Sequence, residues 1–310
     1  MSEELFMRFR KCSGLIAVAA AVAWAALPAV AQFGGRPGDT VIYMVTAKGS
    51  GDFQVVSPGT TNDAASVAKF KVTDVTKVPF VGSDPFPLAR RVLYEEADEI
   101  FQVGTDFETT VGLHRLFLTP VKILVIEGVN SPVGTALGQQ NNFITFPKGL
   151  DVQDDVALET ISVATWAPTK WPFMVVTDSP GPLRPPEMKN GFEYLFQVPG
   201  LVKLPFFIPW TPMRSIYPGV GWKAGIDMKL LDQDQALGCT IRTLRLRPGK
   251  QTPTFRIPGS THIYVLQGRV ILQQGIATPL ALESKYYAYL PKGFAVRLSN
   301  PKTYDGPNAN

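Results

Sequence analysis

Histidine and cysteine are scarce in this chain of 310 residues, which holds two of each. Cys12 lies in a basic leader, so the rest of the chain has one thiol, Cys239, and no internal disulfide can form there. A disulfide-stapled mini-fold is excluded, and stability has to come from a buried core. Charge is also sparse: 18% of residues are charged and the formal net charge is +4. No run of Lys and Arg interleaves with aromatics, which argues against a nucleic-acid partner. The chain has no Gly-x-Ser-x-Gly elbow, no phosphate loop and no Cys-x-x-Cys pair. Those absences argue against serine-elbow hydrolases, P-loop enzymes and dithiol oxidoreductases. Long apolar runs are absent too, save one near the N-terminus.

That run has the form of an export signal. Arg8, Arg10 and Lys11 precede the apolar residues 14–27 (GLIAVAAAVAWAAL), and Ala29-Val30-Ala31 places small residues before Gln32. The pattern predicts a signal peptide over 1–31, cleaved after Ala31, and a mature protein in the periplasm or outside the cell. The run is short for a membrane span of about 20 apolar residues. After cleavage no span is expected.

What the chain has in quantity is apolar and turn-forming residues: 45% hydrophobic, 11% aromatic, 27 Gly and 27 Pro. This suits an all-β protein with many turns. Two blocks nearly repeat. Residues 123–128 read ILVIEG and 143–152 read FITFPKGLDV; residues 263–268 read IYVLQG and 287–296 read YAYLPKGFAV. Self-similarity of this kind predicts two related all-β units. The stretch 177–191, with four prolines and two glycines, is too broken for any element and marks a linker. The expected organisation is a first unit over 32–176 with a leading hairpin (40–47 and 53–56), the linker, and a second unit over 192–310. Residues 88–101 fit either a helix or a strand, with Glu95, Glu96, Asp98 and Glu99 forming one wet face. The proline-broken run 201–210 (LVKLPFFIPW) reads as a contact between units or between copies in a homodimer.

The second unit resembles the cupin superfamily, a double-stranded β-helix or jelly-roll barrel. Pro248-Gly249, Pro258-Gly259, the strand Tyr264-Val265-Leu266 closing on Gly268, then Pro291-Lys292-Gly293 and Asn300 carry the likeness. The preceding segment resembles the ChrR-like cupins. The first unit matches at ILVIEG and Pro-Lys-Gly, so the resemblance implies a bicupin. Metal-bearing cupins place His-x-His and a Glu on the first motif and a His on the second. Here those positions read Phe255, Ile257, His262 and Val296, and in the first unit Lys122 and Val152 stand at the last two. Phe, Ile and Val offer no lone pairs, and His114 and His262 are the only imidazoles. No metal and no other cofactor is therefore expected.

Strand alternation suggests what replaces the ion. With His262 turned inward, Tyr264 would follow it, and Phe255, Ile257 and Val296 would line the same interior. Arg245 and Arg247 point one way on the neighbouring strand and could grip an anion. The expected function is ligand binding without catalysis: a small organic molecule held by His262, Tyr264, Phe255, Ile257, Val296, Arg245 and Arg247, or a protein partner on the surface. The alternatives are a cupin-type enzyme (dioxygenase, isomerase or decarboxylase) with an atypical site, or an assembly protein whose edge strands, such as 40–47, pair with another chain. His262 bonded to a neighbouring hydroxyl and Cys239 as a buried inert thiol are the plain structural roles.

Overall fold

The computed structural model describes residues 34–47, 52–78, 89–94, 108–111, 114–117, 121–128, 143–146, 151–153, 158–164, 173–178, 202–203, 205–235 and 238–301. The expected leader 1–31, the linker 177–191 and the acidic cluster at 95–99 lie outside them, save for the strand residues 177 and 178. Among the described residues the protein is all-β, with antiparallel strand pairing throughout, two short α-helices, α1 (Ala64–Lys69) and α2 (Met213–Ile216), and one 3-10 turn over Val75–Lys77.

A seven-stranded sheet runs in the order β13 (Thr211–Pro212), β14 (Ile226–Asp234), β15 (Cys239–Leu246), β1 (Thr40–Ala47), β17 (Ser260–Gln267), β20 (Tyr286–Leu290) and β3 (Lys71–Asp74). A five-stranded sheet runs β19 (Leu280–Glu283), β18 (Arg269–Gln273), β21 (Ala295–Ser299), β16 (Phe255–Arg256) and β2 (Gln54–Val55). A six-stranded sheet runs β12 (Val202–Lys203), β8 (Phe143–Phe146), β7 (Val121–Gly128), β10 (Leu158–Ala164), β11 (Phe173–Asp178) and β4 (Ala89–Tyr94). Three strands remain: β5 (Glu108–Val111), β6 (His114–Phe117) and β9 (Asp151–Gln153). The segment that fits helix or strand by sequence is thus a strand over Ala89–Tyr94.

Strand β1 shows why the seven-stranded sheet is central. Every residue of TVIYMVTA is buried. A strand covered on one face alternates apolar with polar, whereas one covered on both reads apolar throughout. Ile42 and Met44 join the core between the seven- and five-stranded sheets, with Val265, Phe255 and Val296. Val41, Tyr43 and Val45 join a second core on the opposite face, with Tyr264, Tyr287, Leu124 and Phe143. Leu124 and Phe143 belong to β7 and β8, so the six-stranded sheet covers the outer face of the seven-stranded one.

The strands do not stay on their own side of the 177–191 stretch. β1, β2 and β3 precede it, yet β1 lies between β15 and β17, β2 pairs with β16, and β3 pairs with β20. In return β12, which follows it, pairs with β8. Two expectations are corrected here. Residues 40–47 and 54–55 form no hairpin with each other, because β1 and β2 belong to different sheets. Residues 40–47 offer no edge to another chain, because a strand hydrogen-bonds to them on each side. In the run 201–210, Val202 and Lys203 pair with β8, while Trp210 packs beside the second core.

The sequence repeat recurs in strand register. Lys122 faces Thr145 and Leu124 faces Phe143 across β7 and β8. At the matching places His262 faces Tyr289 and Tyr264 faces Tyr287 across β17 and β20. The glycines that close the repeated motifs have a local reason. Gly268 has φ +76° and a side chain there would meet the Asp39 carbonyl oxygen at 2.7 Å; Gly293 has φ +80°. Such backbone suits glycine because it has no Cβ. Asn300 donates to the carbonyls of Gly38 and Leu246 (2.8 and 2.9 Å), fastening the last strand to the start of β1 and the end of β15.

Candidate functional site

The residues singled out by sequence divide between the two faces of one sheet. Phe255, Ile257 and Val296 are at most 1% exposed and point into the core between the seven- and five-stranded sheets. β16 and β21 set Phe255 directly beside Val296. All three places therefore face inward, but with hydrocarbon. Among the described residues, no three His, Cys, Asp or Glu side chains come together as a metal site. The donor set does not fit a divalent ion, since alkyl and phenyl groups have no lone pair to replace its water.

His262 and Tyr264 face the other way. On β17 the inward residues are Ile263 and Val265, so alternation sends His262 and Tyr264 toward the six-stranded sheet. This corrects the expected inward imidazole. The inward neighbour is Thr261, whose hydroxyl lies 3.0 Å from that of Thr46. His262 is buried, its Nδ1 is 2.8 Å from the Tyr287 hydroxyl, and the Tyr289 ring meets it edge-on at 5.4 Å. The hydroxyl partner is thus a tyrosine on the adjacent strand.

Arg245 and Arg247 share a direction, as expected, but both turn to Asp227. Arg245 donates twice to one Asp227 oxygen, at 2.7 and 3.2 Å, and once to the Gly34 carbonyl at 3.1 Å. Arg247 is half-exposed and 3.9 Å from the same carboxylate. Two cations lie over the Trp210 ring, the Arg245 guanidinium carbon at 4.4 Å and the Lys229 ammonium at 4.7 Å from its centre. Lys229 donates to the Pro205 carbonyl at 2.6 Å; burial first, and then Arg245, push its pKa down to about 8. Nearby, Lys122 and Lys203 both hold Asp232, at 2.6 and 3.0 Å. Burial raises the Asp232 pKa, but these two lysines outweigh it and keep the carboxyl below its usual range. Cys239 is buried and burial raises its thiol to about 11, as befits an inert residue. The side chain of His114 lies outside what is described.

The charged group that does enter the inner core is Arg242. It sits on the opposite parity of β15 from Arg245, in line with Leu244 and Leu246, and is 2% exposed. That parity is the signal the sequence carries: Arg242 falls on an apolar stripe. Its surroundings are soft and aromatic. The guanidinium carbon lies 4.9 Å from the Phe53 ring centre, and one Nη is 3.9 Å from the Met228 sulfur. Phe53 packs against Phe255 at 4.8 Å and Trp222 at 5.8 Å, with Tyr217 6.0 Å from both Phe53 and Trp222. The Tyr217 hydroxyl donates to Asp52 at 3.3 Å at the surface. Burial lowers the Arg242 pKa, and the nearby Tyr217 hydroxyl and Asp52 oppose that shift. A guanidinium still stays charged inside proteins. Arg242 Nε and Trp222 Nε1 are buried and have no acceptor among the described residues.

No family model matches the chain, and no curated protein matches it. Among solved structures, a putative dioxygenase from Nostoc punctiforme is similar over 87% of this chain and 88% of that one, at 11% identity and a TM-score of 0.43. Similarity at that level carries no argument about activity.

Proposed function

We propose that this is a secreted, metal-free protein of two related cupin-like units that binds a small organic molecule inside the second unit without transforming it. One observation carries the reading: Phe255, Ile257 and Val296 face inward at the places where the cupin resemblance puts metal ligands. The shared register of β7–β8 and β17–β20 supports two related units, the first within 32–176 and the second within 192–310. The exchange of β1, β2, β3 and β12 makes them interdependent. Export rests on the leader's basic residues and apolar run, and predicts a mature N-terminus at Gln32, read by intact mass.

An interior lined by hydrocarbon with a few convergent polar groups suits a largely apolar ligand held in orientation. Of the residues that sequence points to, Phe255, Ile257 and Val296 stay in the site. Arg242, Trp222 and Tyr217 take the places of His262, Tyr264, Arg245 and Arg247. The test has two parts on the purified mature protein. Elemental analysis is expected to give less than about a tenth of an equivalent of Fe, Mn, Ni or Zn; a stoichiometric transition metal overturns the reading in favour of the cupin-type enzyme. A thermal-shift screen of small apolar acids, amides and sugars is expected to yield concentration-dependent stabilisers. A screen in which nothing of either charge shifts the melting point overturns it as well.

A further inference from the structure

We infer that Tyr287 and His262 form a redox site: a buried phenol that yields an electron to a one-electron oxidant while its proton passes to the imidazole. The pair does not depend on the ligand-binding reading. His262 Nδ1 lies 2.8 Å from the Tyr287 hydroxyl, and both side chains are at most 2% exposed. Strand register puts more phenols beside them. β17 and β20 set Tyr264 opposite Tyr287 and His262 opposite Tyr289, and β1 and β17 set Tyr43 opposite Tyr264. Side chains directly opposite on one face of an antiparallel pair have Cβ atoms about 5 Å apart. Tyr43, Tyr264 and Tyr287 therefore form a row across β1, β17 and β20, inside the core that the six-stranded sheet covers.

Burial is what makes the imidazole matter. Loss of an electron alone would leave a phenol radical cation, and an unpaired charge in a dry core is costly. The proton has to leave in the same step, to an acceptor within hydrogen-bond reach. Imidazole is the side chain suited to take up a proton near neutral pH. The step balances. The electron leaves Tyr287 for the oxidant, the Tyr287 Oη–H bond breaks, and an N–H bond forms at His262 Nδ1. A neutral tyrosyl radical remains, and the new imidazolium N–H stays hydrogen-bonded to its oxygen. This gives the Tyr287 hydroxyl the donor role and His262 Nδ1 the acceptor role. Tyr289 supplies a contrast. Its ring meets His262 edge-on at 5.4 Å, but its hydroxyl lies 3.2 Å from that of Ser260, which takes up a proton far less readily. Tyr43, at the other end of the row, has no acceptor for its hydroxyl among the described residues. Burial first, then Cys239 and Asp232, raise its pKa and keep it a neutral phenol. An electron vacancy can hop between neighbouring rings of the row without an open cavity, and the imidazole makes Tyr287 its resting place.

The probe is photogenerated tris(bipyridine)ruthenium in its one-electron oxidising form, added to the full mature chain. Freeze-quench electron paramagnetic resonance and transient absorption are the readouts. A tyrosyl radical that outlives those of exposed tyrosines is expected, with coupling to a histidine nitrogen in the double-resonance spectrum. Tyr287→Phe is expected to abolish that long-lived signal, and Tyr289→Phe to leave it in place. His262→Gln keeps a hydrogen-bonding side chain without a base, and is expected to slow formation of the radical at least about tenfold. Each variant is checked for native circular dichroism. If His262→Gln or Tyr287→Phe does not fold, the nitrogen coupling in the unmutated protein decides alone. A long-lived radical that survives Tyr287→Phe, an unchanged rate in His262→Gln, or the lack of any tyrosyl signal coupled to histidine overturns the inference. None of these outcomes bears on ligand binding, since Phe255, Ile257 and Val296 lie on the other face of the sheet.

Discussion

The seven-stranded sheet has two covered faces, and they treat charge in opposite ways. On the outer face, against the six-stranded sheet, cations are frequent and matched: Lys122 and Lys203 with Asp232, Arg245 with Asp227, and Lys229 with a carbonyl. His262 there meets a tyrosine hydroxyl. On the inner face Arg242 meets sulfur and aromatic rings. Fully paired charge at a buried contact fixes how two layers sit, because any other placement strands an ion. The Arg242 guanidinium is met instead by the Tyr217 hydroxyl and by the field of Asp52 at the surface, and does not lock layers in that way. The comparison separates a structural face from a candidate binding face within one set of strands.

The sharpest way to break this contrast is to remove the shared acceptor of the outer face. Asp232→Ala leaves Lys122 buried, with Asp234 3.7 Å away as its remaining carboxylate, and is expected to cost about 3 kcal/mol in urea denaturation. Arg245→Met comes next. It leaves the buried Asp227 with half-exposed Arg247 alone, for an expected loss of about 2 kcal/mol by the same measurement. The pH dependence of Lys229 gives a subtler test. Its folded pKa of about 8 lies below the unfolded value of about 10.4, so the unfolded chain binds the extra proton between them. Stability from this group is therefore lowest below pH 8 and rises as the pH climbs toward 10, and Lys229→Met should flatten melting-point scans across that window. The smallest change is expected on the inner face. Arg242→Met removes a desolvated charge that the Tyr217 hydroxyl and Asp52 offset only in part, so stability should hold or rise by up to about 1 kcal/mol. A loss as large as that of Arg245→Met would mean that Arg242 belongs to the fold after all, and the contrast between the faces would vanish.

Much of the strand layout is legible in the sequence. The repeat announces β7–β8 and β17–β20, and Lys122 and His262 occupy matching register positions in the two pairs. The all-β reading follows from apolar runs closed by glycine, and the glycine at 268 is a point of close backbone approach. The inward direction of Phe255, Ile257 and Val296 agrees with strand alternation read from the cupin resemblance. The direction of His262 is not legible, because Thr261 and His262 are neighbours on a strand buried almost throughout. When both faces are covered, composition no longer says which face is which. Arg242 carries a parity signal, since it shares the stripe of Leu244 and Leu246, but on a strand buried throughout that signal does not say which stripe faces the inner core.

Residue order alone determined that these strands would alternate and that each would carry two distinct sets of side chains. What stood on either side of each set was decided in three dimensions. β1 enters the seven-stranded sheet from far along the chain, to pair with β15 and β17, and β7 and β8 close over its outer face. Alternation is a local property of extended backbone, whereas burial depends on which distant surface arrives to exclude water. That arrival turned His262 into part of a sealed contact and left Arg242 among the rings of the inner core.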